Sequence, residues 1–399
     1  MSRAMEKERS LSSAESVELS VVMPCLNEAD TLGSCIGKAQ EALRNEGLQG
    51  EIIVADNGSS DDSRSIAARM GARVIGVAAP GYGSALMGGI SAAAGKYVIM
   101  GDADDSYDFR EIPRFVEKLR QGYELVQGCR LTSGGGRVLP GAMPFLHRWW
   151  GNPMFSWLAR FWFRAPIHDV YCGLRGFSRD LYWRLGQRCT GMEFATEMII
   201  KASLLGARIG EVPITLHPDG RKSHAPHLRT FRDGWRTLRF FLMCSPRWLF
   251  LVPGLALILF GLMGYAVAMP GLSLGGAVFD AHTLLFASLA IICGYQAILF
   301  SAFTKIFAES EGLLPEDPKM TKWFDLFNLE KGLVSGVFMG LFGVFLLLGA
   351  VNQWRIRHFG TLDYGHTMRW VVPGVMLAAL GFQTVLSSFF LSILGMRRR

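Results

Sequence analysis

The chain has 399 residues, half of them apolar, with a positive mean hydropathy and a formal net charge of +7. That is too apolar for one ordinary soluble domain, and the excess is uneven: residues 1–246 mix polar and apolar side chains, whereas 247–396 hold long apolar runs between short polar loops. The arginines lie among aromatic and apolar segments, which points to anionic lipid headgroups and away from nucleic acid, and the seven cysteines lack any C-x-x-C pair or metal-like spacing, as reduced thiols would.

Met1 to Glu18 is charged and serine-rich with no apolar h-region, so a disordered tail over 1–17 and no cleavable signal peptide are expected. Leu19-Ser20-Val21-Val22-Met23-Pro24 reads as a short strand ending in proline, and Asn27-Glu28 precedes a helical stretch to about Glu46. Glu51–Asp56 is a second strand ending in an acid, followed by Asn57-Gly58-Ser59-Ser60-Asp61-Asp62 and another helix. A third strand near Arg73–Val77 and the glycine-rich Gly81-Tyr82-Gly83-Ser84 lead to a predicted helix Ala85–Ala94, and a fourth strand is expected at Tyr97–Met100. Strands alternating with helices at this spacing predict an α/β domain with a mainly parallel sheet.

Asp102-Ala103-Asp104 directly follows the fourth strand. Two carboxylates therefore project from a strand's C-terminal edge, where open α/β sheets place ligands. Carboxylates two apart on extended backbone can share a hard Mg²⁺ or Mn²⁺ that bridges to substrate phosphates. Asp56 is placed to accept hydrogen bonds from a nucleobase or ribose, and Gly81 and Gly83 would let backbone N–H groups approach a ligand or simply form a turn. A G-x-G-x-x-G after the first strand and a Walker P-loop are both absent from the sequence, so the expected nucleotide site is of another kind.

Two segments, Pro144–Arg164 and His227–Met243, mix aromatics with arginine at near-helical spacing and are read as interfacial helices; ordinary amphipathic helices on the domain core are the competing reading. Beyond a boundary near Ser245-Pro246-Arg247, four apolar runs at about 248–269, 283–303, 332–351 and 370–395 approach the length that crosses a bilayer. Arg247, Lys305, Lys319, Lys322, Lys331 and Arg397-Arg398-Arg399 fall on one side, which is then cytoplasmic; Arg355 and Arg357 dissent. Gly332, Gly336 and Gly340 form a small-residue face on the third run.

The segments Val21–Glu28, Ile53–Asp61, Gly101-Asp102-Ala103-Asp104 and Asp169-Val170-Tyr171-Cys172-Gly173-Leu174-Arg175-Gly176-Phe177, in this order, resemble family 2 glycosyltransferases of the GT-A fold. Within them the chain is similar to the dolichyl-phosphate mannose and glucose synthase group over about residues 17–240, and its membrane half is similar to that group's multi-span members less closely. The resemblance implies a nucleotide-diphosphate sugar donor of GDP-mannose or UDP-glucose type, a polyprenyl phosphate acceptor, and a catalytic domain on the cytoplasmic face of the plasma membrane. It implies that Pro24, Asn27, Glu28 and Asp56 line the nucleoside pocket, that Asp102 touches the nucleoside side, and that Asp104 holds the metal on the diphosphate. Many relatives follow the acid pair with Leu-Gln where this chain has Asp105-Ser106, and Asp105 is the candidate substitute in the metal shell.

A phosphate monoester is largely deprotonated at neutral pH, so the acceptor needs positioning and charge neutralisation more than a strong base. Arg130, after the predicted strand Glu124–Gly128, Arg137, beyond Gly134-Gly135-Gly136, and Arg221 with Lys222 are the candidates. Asp169 and Arg175 are read as either site residues or a structural ion pair, and Glu193 and Glu197 occupy the region where sugar-accepting relatives carry their base, with Glu197 the candidate catalytic group. His217, His224 and His227 match no helix face and are expected to be loop residues. Two alternatives stand beside this reading. A processive polysaccharide synthase would carry a Gln-x-x-Arg-Trp motif, which does not occur, and a non-catalytic lipid-sugar carrier or binding module would not need the acid pair. Association into a homo-oligomer is left open.

Overall fold

A computed structural model describes residues 17–221, 230–315 and 329–395. The expected disordered tail therefore lies almost wholly outside the described residues, as do Lys222, His224 and His227. A seven-stranded sheet organises the first compact unit, residues 1–241. Its strands are β1 (Leu19–Cys25), β2 (Gly50–Asp56), β3 (Arg73–Gly76), β4 (Tyr97–Met100), β5 (Leu125–Cys129), β7 (Arg175–Ser178) and β8 (Ile209–Pro213), in the order β3-β2-β1-β4-β7-β5-β8. The two-residue strands β6 (Arg137–Val138) and β9 (Thr215–Leu216) pair beside it. Neighbours run parallel except at β7, which is antiparallel to both β4 and β5. The mainly parallel α/β sheet expected from the sequence is present, and β7 and β8 are the members of it that the sequence reading did not predict.

Helices cover the sheet: α1 (Leu32–Asn45), α2 (Ser63–Arg69), α3 (Tyr82–Ser91), α4 (Ile112–Arg120), α5 (Asn152–Phe163), α6 (Arg179–Leu185), α7 (Glu193–Leu204) and α8 (Thr230–Met243). β4 and β5 are buried along their whole length and β1 at all but Pro24, as central strands flanked on both faces must be. Leu19, Val21 and Met23, two apart on β1, join Leu32, Ile36 and Ala39 of α1 in one core. Register brings Cys25 opposite Asp56 and Val22 opposite Met100, so β1, β2 and β4 end at a common edge. The chain leaves that edge at Asn27-Glu28, at Asn57 and at Asp102.

One predicted boundary is corrected. The helix expected to begin at Ala85 begins at Tyr82, because Gly81 (φ 127°) makes the turn alone and leaves Gly83 inside the helix.

Segment 144–164 consists of one wide turn, 147–151, running into α5. Phe155, Ser156, Ala159 and Phe163 are buried, whereas Trp149, Trp150, Met154, Trp157 and Phe161 are exposed. Phe241 of α8 packs edge-on against Phe155 and Phe163 and is fully buried.

The second unit, residues 242–399, contains four helices long and apolar enough to cross a membrane: 247–268, 281–310, 329–356 and 364–395. The regular α-helical part of the first is α9 (Val252–Ala268); the others are α10 (Ala281–Ser310), α11 (Leu329–Ile356) and α12 (Tyr364–Gly395). Each of the last three is longer than the apolar run expected, because polar ends extend it. Their outer surfaces carry exposed Leu259, Phe260, Phe338 and Phe382, a surface suited to lipid and not to water. Gly336 meets Gly381 across α11 and α12, where an added Cβ would lie 2.9 Å from the Gly381 carbonyl oxygen. Backbones in close approach replace the hydrophobic driving force that lipid removes. Tyr295 and Thr384 share a 2.6 Å hydroxyl hydrogen bond between α10 and α12. The protein is a membrane protein.

Candidate active site

Three segments leave the common edge of β1, β2 and β4 and are laced together by side chains. Asn27 adopts φ 60°, its side-chain oxygen accepts from Ser60 N–H at 2.8 Å, and its own N–H donates to Ser59 Oγ at 2.9 Å. The Glu28 N–H donates to Ser63 Oγ at 2.9 Å and that of Ala29 to Asp61 Oδ2 at 3.0 Å. Thr31 donates to the carbonyl of Ala103 at 2.6 Å, which ties the first loop to the acid pair. Pro24 is half-buried at the end of β1.

Asp56 is fully buried. It accepts from Gly58 and Ser59 N–H groups and from Arg64 Nε at 2.6 Å. Burial alone would push this carboxyl up, but the hydrogen bonds from Ser59, Arg64 and Gly58 outweigh it and hold it below the ordinary value. Arg64, whose own side chain is largely exposed, is the ion-pair partner of Asp56.

Asp102 and Asp104 are both half-buried. Asp102 Oδ1 accepts from the Tyr82 hydroxyl at 2.8 Å. Burial, and then the neighbouring Asp104 carboxylate, push Asp102 up to about 6 against the opposing influence of Tyr82, Arg221 and Arg130. Asp104 Oδ1 accepts from Ser106 Oγ at 2.6 Å and from its N–H at 3.1 Å, which aims the carboxylate. Gly173 lies against Asp102: an added Cβ would press on Asp102 Oδ2 and sit 3.1 Å from the Tyr107 ring. The Tyr107 hydroxyl in turn accepts the Gly173 N–H at 2.8 Å.

The two carboxylates form a hard oxygen donor set at the strand end. That chemistry suits Mg²⁺ or Mn²⁺ with its remaining positions filled by phosphate oxygens and water. Among the described residues no group of three or more His, Cys, Asp or Glu converges on one ion position. Asp105, expected as a further ligand, is turned elsewhere: at φ 60° its carboxylate takes Lys38 Nζ at 2.7 Å and Ser34 Oγ at 3.0 Å on α1.

The cationic candidates are placed differently from one another. Arg130 is buried and its fork is engaged by Asp169, Nε to Oδ2 at 2.7 Å and Nη2 to Oδ1 at 2.8 Å. The ion pair expected between Asp169 and Arg175 is therefore replaced by one with Arg130, and Arg175, fully buried, donates instead to the carbonyls of Ala195 at 2.6 Å and Cys172 at 2.8 Å. Arg137 is exposed on β6, beyond a glycine turn that wraps the end of β5. Arg221 lies on the acid cluster, with Nε 2.8 Å from Glu28 Oε2 and Nη2 3.5 Å from Asp104 Oδ2. Lys222 is outside the described residues.

Glu197 is not at the acid pair. On α7 it is almost fully buried, accepts the N–H groups of Arg188 at 3.0 Å and Cys189 at 2.8 Å, and pairs with buried Lys201 at 2.7 Å. It thereby holds the 188–190 backbone, whose Thr190 carbonyl accepts from Ser84 N–H at 3.1 Å. That backbone packs so closely on α3 that Gly81 and Gly83 have no room for a Cβ. Both glycines serve this contact, and Tyr82 between them reaches Asp102. Glu193 pairs with Arg236 of α8 at 2.8 Å. Tyr82, Tyr107, Ser106, Arg64 and Asp219 were not singled out from the sequence. Ser106 carried a signal, a hydroxyl two residues after a carboxylate, and Tyr107 follows it directly, whereas Tyr82 and Asp219 come to the acid pair from distant segments.

Comparison with known proteins places this geometry. Residues 20–186 match the family model for glycosyl transferase family 2, and residues 302–395 match the model for the glycosyltransferase family 2 C-terminal transmembrane region. The chain is 37% identical over 379 residues to the low-salt glycan biosynthesis hexosyltransferase Agl6 of Haloferax volcanii, covering 94% of this chain and 89% of that protein. It is 34% identical over 198 residues to the dolichyl-phosphate hexose transferase of the same organism, covering 49% of this chain and 82% of that protein. Among solved structures, glucosyl-3-phosphoglycerate synthase of Mycobacterium tuberculosis, determined with Mn²⁺, UDP and glucosyl-3-phosphoglycerate, is 23% identical, with a TM-score of 0.43 over 57% of this chain and 78% of that chain. With an acid pair at the end of β4, a family 2 match over the sheet and a relative similar along nearly its whole length, this chain is a glycosyltransferase and belongs to glycosyltransferase family 2.

Proposed function

We propose that the protein transfers a hexose from a nucleotide-diphosphate sugar, of GDP-mannose or UDP-glucose type, to a membrane polyprenyl phosphate, in a reaction that depends on Mg²⁺ or Mn²⁺. The observation that carries this reading is the acid pair Asp102 and Asp104 at the sheet edge, in a chain that continues into four apolar helices. The names of two relatives, a hexosyltransferase of glycan biosynthesis and a dolichyl-phosphate hexose transferase, support hexose as the transferred group, and the second supports a lipid phosphate as acceptor.

Pro24, Asn27, Glu28 and Asp56 would line the nucleoside pocket and Asp102 its inner wall. Asp104, with Asp102, would hold the divalent cation, which when bound supplies charge neutralisation for the departing diphosphate. An acceptor phosphate oxygen attacks the anomeric carbon in line, the new C–O bond forms as the bond to the diphosphate breaks, and the configuration inverts. The acceptor is already an anion at neutral pH, so no side chain has to remove a proton from it. Arg130 and Arg137 are assigned to orient its phosphate, Arg130 through whatever donor capacity Asp169 leaves. The exposed aromatics of α5 would rest at the cytoplasmic face of the plasma membrane and bring the acceptor headgroup within reach.

The test is transfer by purified, detergent-solubilised protein from labelled GDP- and UDP-sugars to polyprenyl phosphate with Mg²⁺ or Mn²⁺, beside Asp104→Ala. Product from one donor, lost in the variant, is expected. Full activity in Asp104→Ala would overturn the metal role, and no product with any donor would remove the proposed acceptor.

A further inference from the structure

One guanidinium sits where the site gathers its negative charge. Arg221 is only 12% exposed at its side chain; Nε and Nη2 both bond Glu28, Nη1 pairs with Asp219 at 3.1 Å, and Nη2 lies 3.5 Å from Asp104 Oδ2. Each of these acids has limited freedom. Glu28 is buried and its own N–H is held by Ser63. The other oxygen of Asp104 is taken by Ser106, which leaves Oδ2 as the oxygen that faces Arg221. The backbone carries the guanidinium to this place: Gly220 N–H donates to the Asp104 carbonyl at 3.0 Å and Arg221 N–H to Asp219 Oδ1 at 2.9 Å.

A divalent cation binds carboxylate oxygen at about 2.0–2.6 Å. An ion on Asp104 Oδ2 would stand against the guanidinium, which bears like charge and has no lone pair to offer a metal. A metal ion and a guanidinium on that one oxygen repel each other, so each weakens the other's hold on it. We infer that Arg221 is the resident counter-ion of the Glu28–Asp104 acid cluster and that divalent metal displaces it, so that loading the metal releases a guanidinium fork whose chemistry suits a phosphate. This rests on Asp104 being the metal ligand. Its consequence is an order of events: Arg221 holds the acids until the metal loads, and the freed arginine is offered to a phosphate afterwards.

The full-length protein in detergent, stripped with chelator, is titrated with Mn²⁺ alone, and free Mn²⁺ is read by electron paramagnetic resonance. Arg221→Gln is expected to bind Mn²⁺ about tenfold more tightly than wild type, within the ordinary range of coupling between two ligands. In the wild-type protein, which needs no substitution to fold, phenylglyoxal labelling of Arg221 mapped by mass spectrometry is expected to rise when Mn²⁺ is added. Labelling that stays level or falls with Mn²⁺ overturns the displacement, even if Arg221→Gln binds more tightly, because long-range repulsion would then suffice. Unchanged affinity in Arg221→Gln overturns it as well. Asp104→Asn separates the premises: if it binds Mn²⁺ as wild type does, the metal-ligand reading has failed and the exchange with it. If it loses Mn²⁺ while Arg221→Gln binds as wild type, only the exchange has failed.

Discussion

Replacing Asp169 by Asn removes the charge from a pair in which neither partner is appreciably exposed, 9% for the Arg130 side chain and 0% for Asp169. The carboxylate accepts Arg130 Nε at 2.7 Å, Nη2 at 2.8 Å and the Arg130 N–H at 3.0 Å, so both oxygens are engaged. A buried pair broken at one partner leaves a stranded charge, at a cost of about 3–5 kcal/mol. Coulomb's law agrees: charge centres about 4 Å apart at an effective dielectric of 20 attract by about 4 kcal/mol. In a domain of this size each kcal/mol moves the melting temperature by about 2–4 °C, so the unfolding transition of the catalytic unit should fall by roughly 6–20 °C. Intrinsic tryptophan fluorescence during a thermal ramp of the full chain in detergent would follow it. The double variant Arg130→Met with Asp169→Leu should recover most of the loss, since an apolar pair of similar volume replaces a buried ion pair at little cost. It should not recover transfer, because the proposed phosphate contact goes with Arg130. Melting of Asp169→Asn within about 2 °C of wild type, or a double variant no more stable than the single, would refute the reasoning.

Glu197→Gln leaves Lys201 buried beside an uncharged partner and should destabilise the fold by about 3–5 kcal/mol, while turnover per folded molecule, from active-site titration, changes little. A much larger loss of turnover would return Glu197 to the chemistry. Gly83→Ala forces a Cβ to within 2.9 Å of Phe194 Cβ and the Thr190 carbonyl carbon; overpacking of this kind costs about 1–3 kcal/mol, and nucleotide titration should show weaker binding as Tyr82 shifts from Asp102. For the metal-free protein the effect of Asp102 on the pH trend has a definite sign. Asp102 titrates near 6 in the folded state against an ordinary value of 3.8, so the native state holds an extra proton between them. The Asp102 contribution to stability should therefore fall as pH rises from about 4 to about 6, against the opposite contributions of Glu18, Asp56, Asp61 and Asp108, whose carboxyls are held low, and the gap between melting curves with saturating Mn²⁺ and with chelator should widen over that window.

The α/β order was legible because β1, β2 and β4 are apolar runs, each with a helix after it. The acid pair was legible for the same reason, since its position follows from where β4 stops. β7 escaped notice because Arg175-Gly176-Phe177-Ser178 has no strand-like apolar pattern; it is a strand because Gly176 fits beneath Ile99 and Leu119 and because β4 and β5 lie on either side. Pairings between distant charges were the least legible. Asp169 chose Arg130 over Arg175, and Arg221 settled 193 residues from Glu28, because burial and backbone register decide partners that charge alone leaves equivalent. Glu197 reads alike as a catalytic acid or a structural one until its neighbours Cys189 and Lys201 are in place.

The exposed aromatics of α5 and of the 147–151 turn that leads into it also bear on how the enzyme can be handled. Trp149, Trp150, Trp157 and Phe161 are each more than half exposed, all on the catalytic unit. Cutting the chain at residue 241 to obtain a soluble catalytic fragment would therefore leave the greasiest patch of that fragment attached. Such a fragment should self-associate in plain buffer and disperse with detergent or bilayer discs, so freeing it from the membrane requires polar replacements over residues 149–161 as well as removal of the spans.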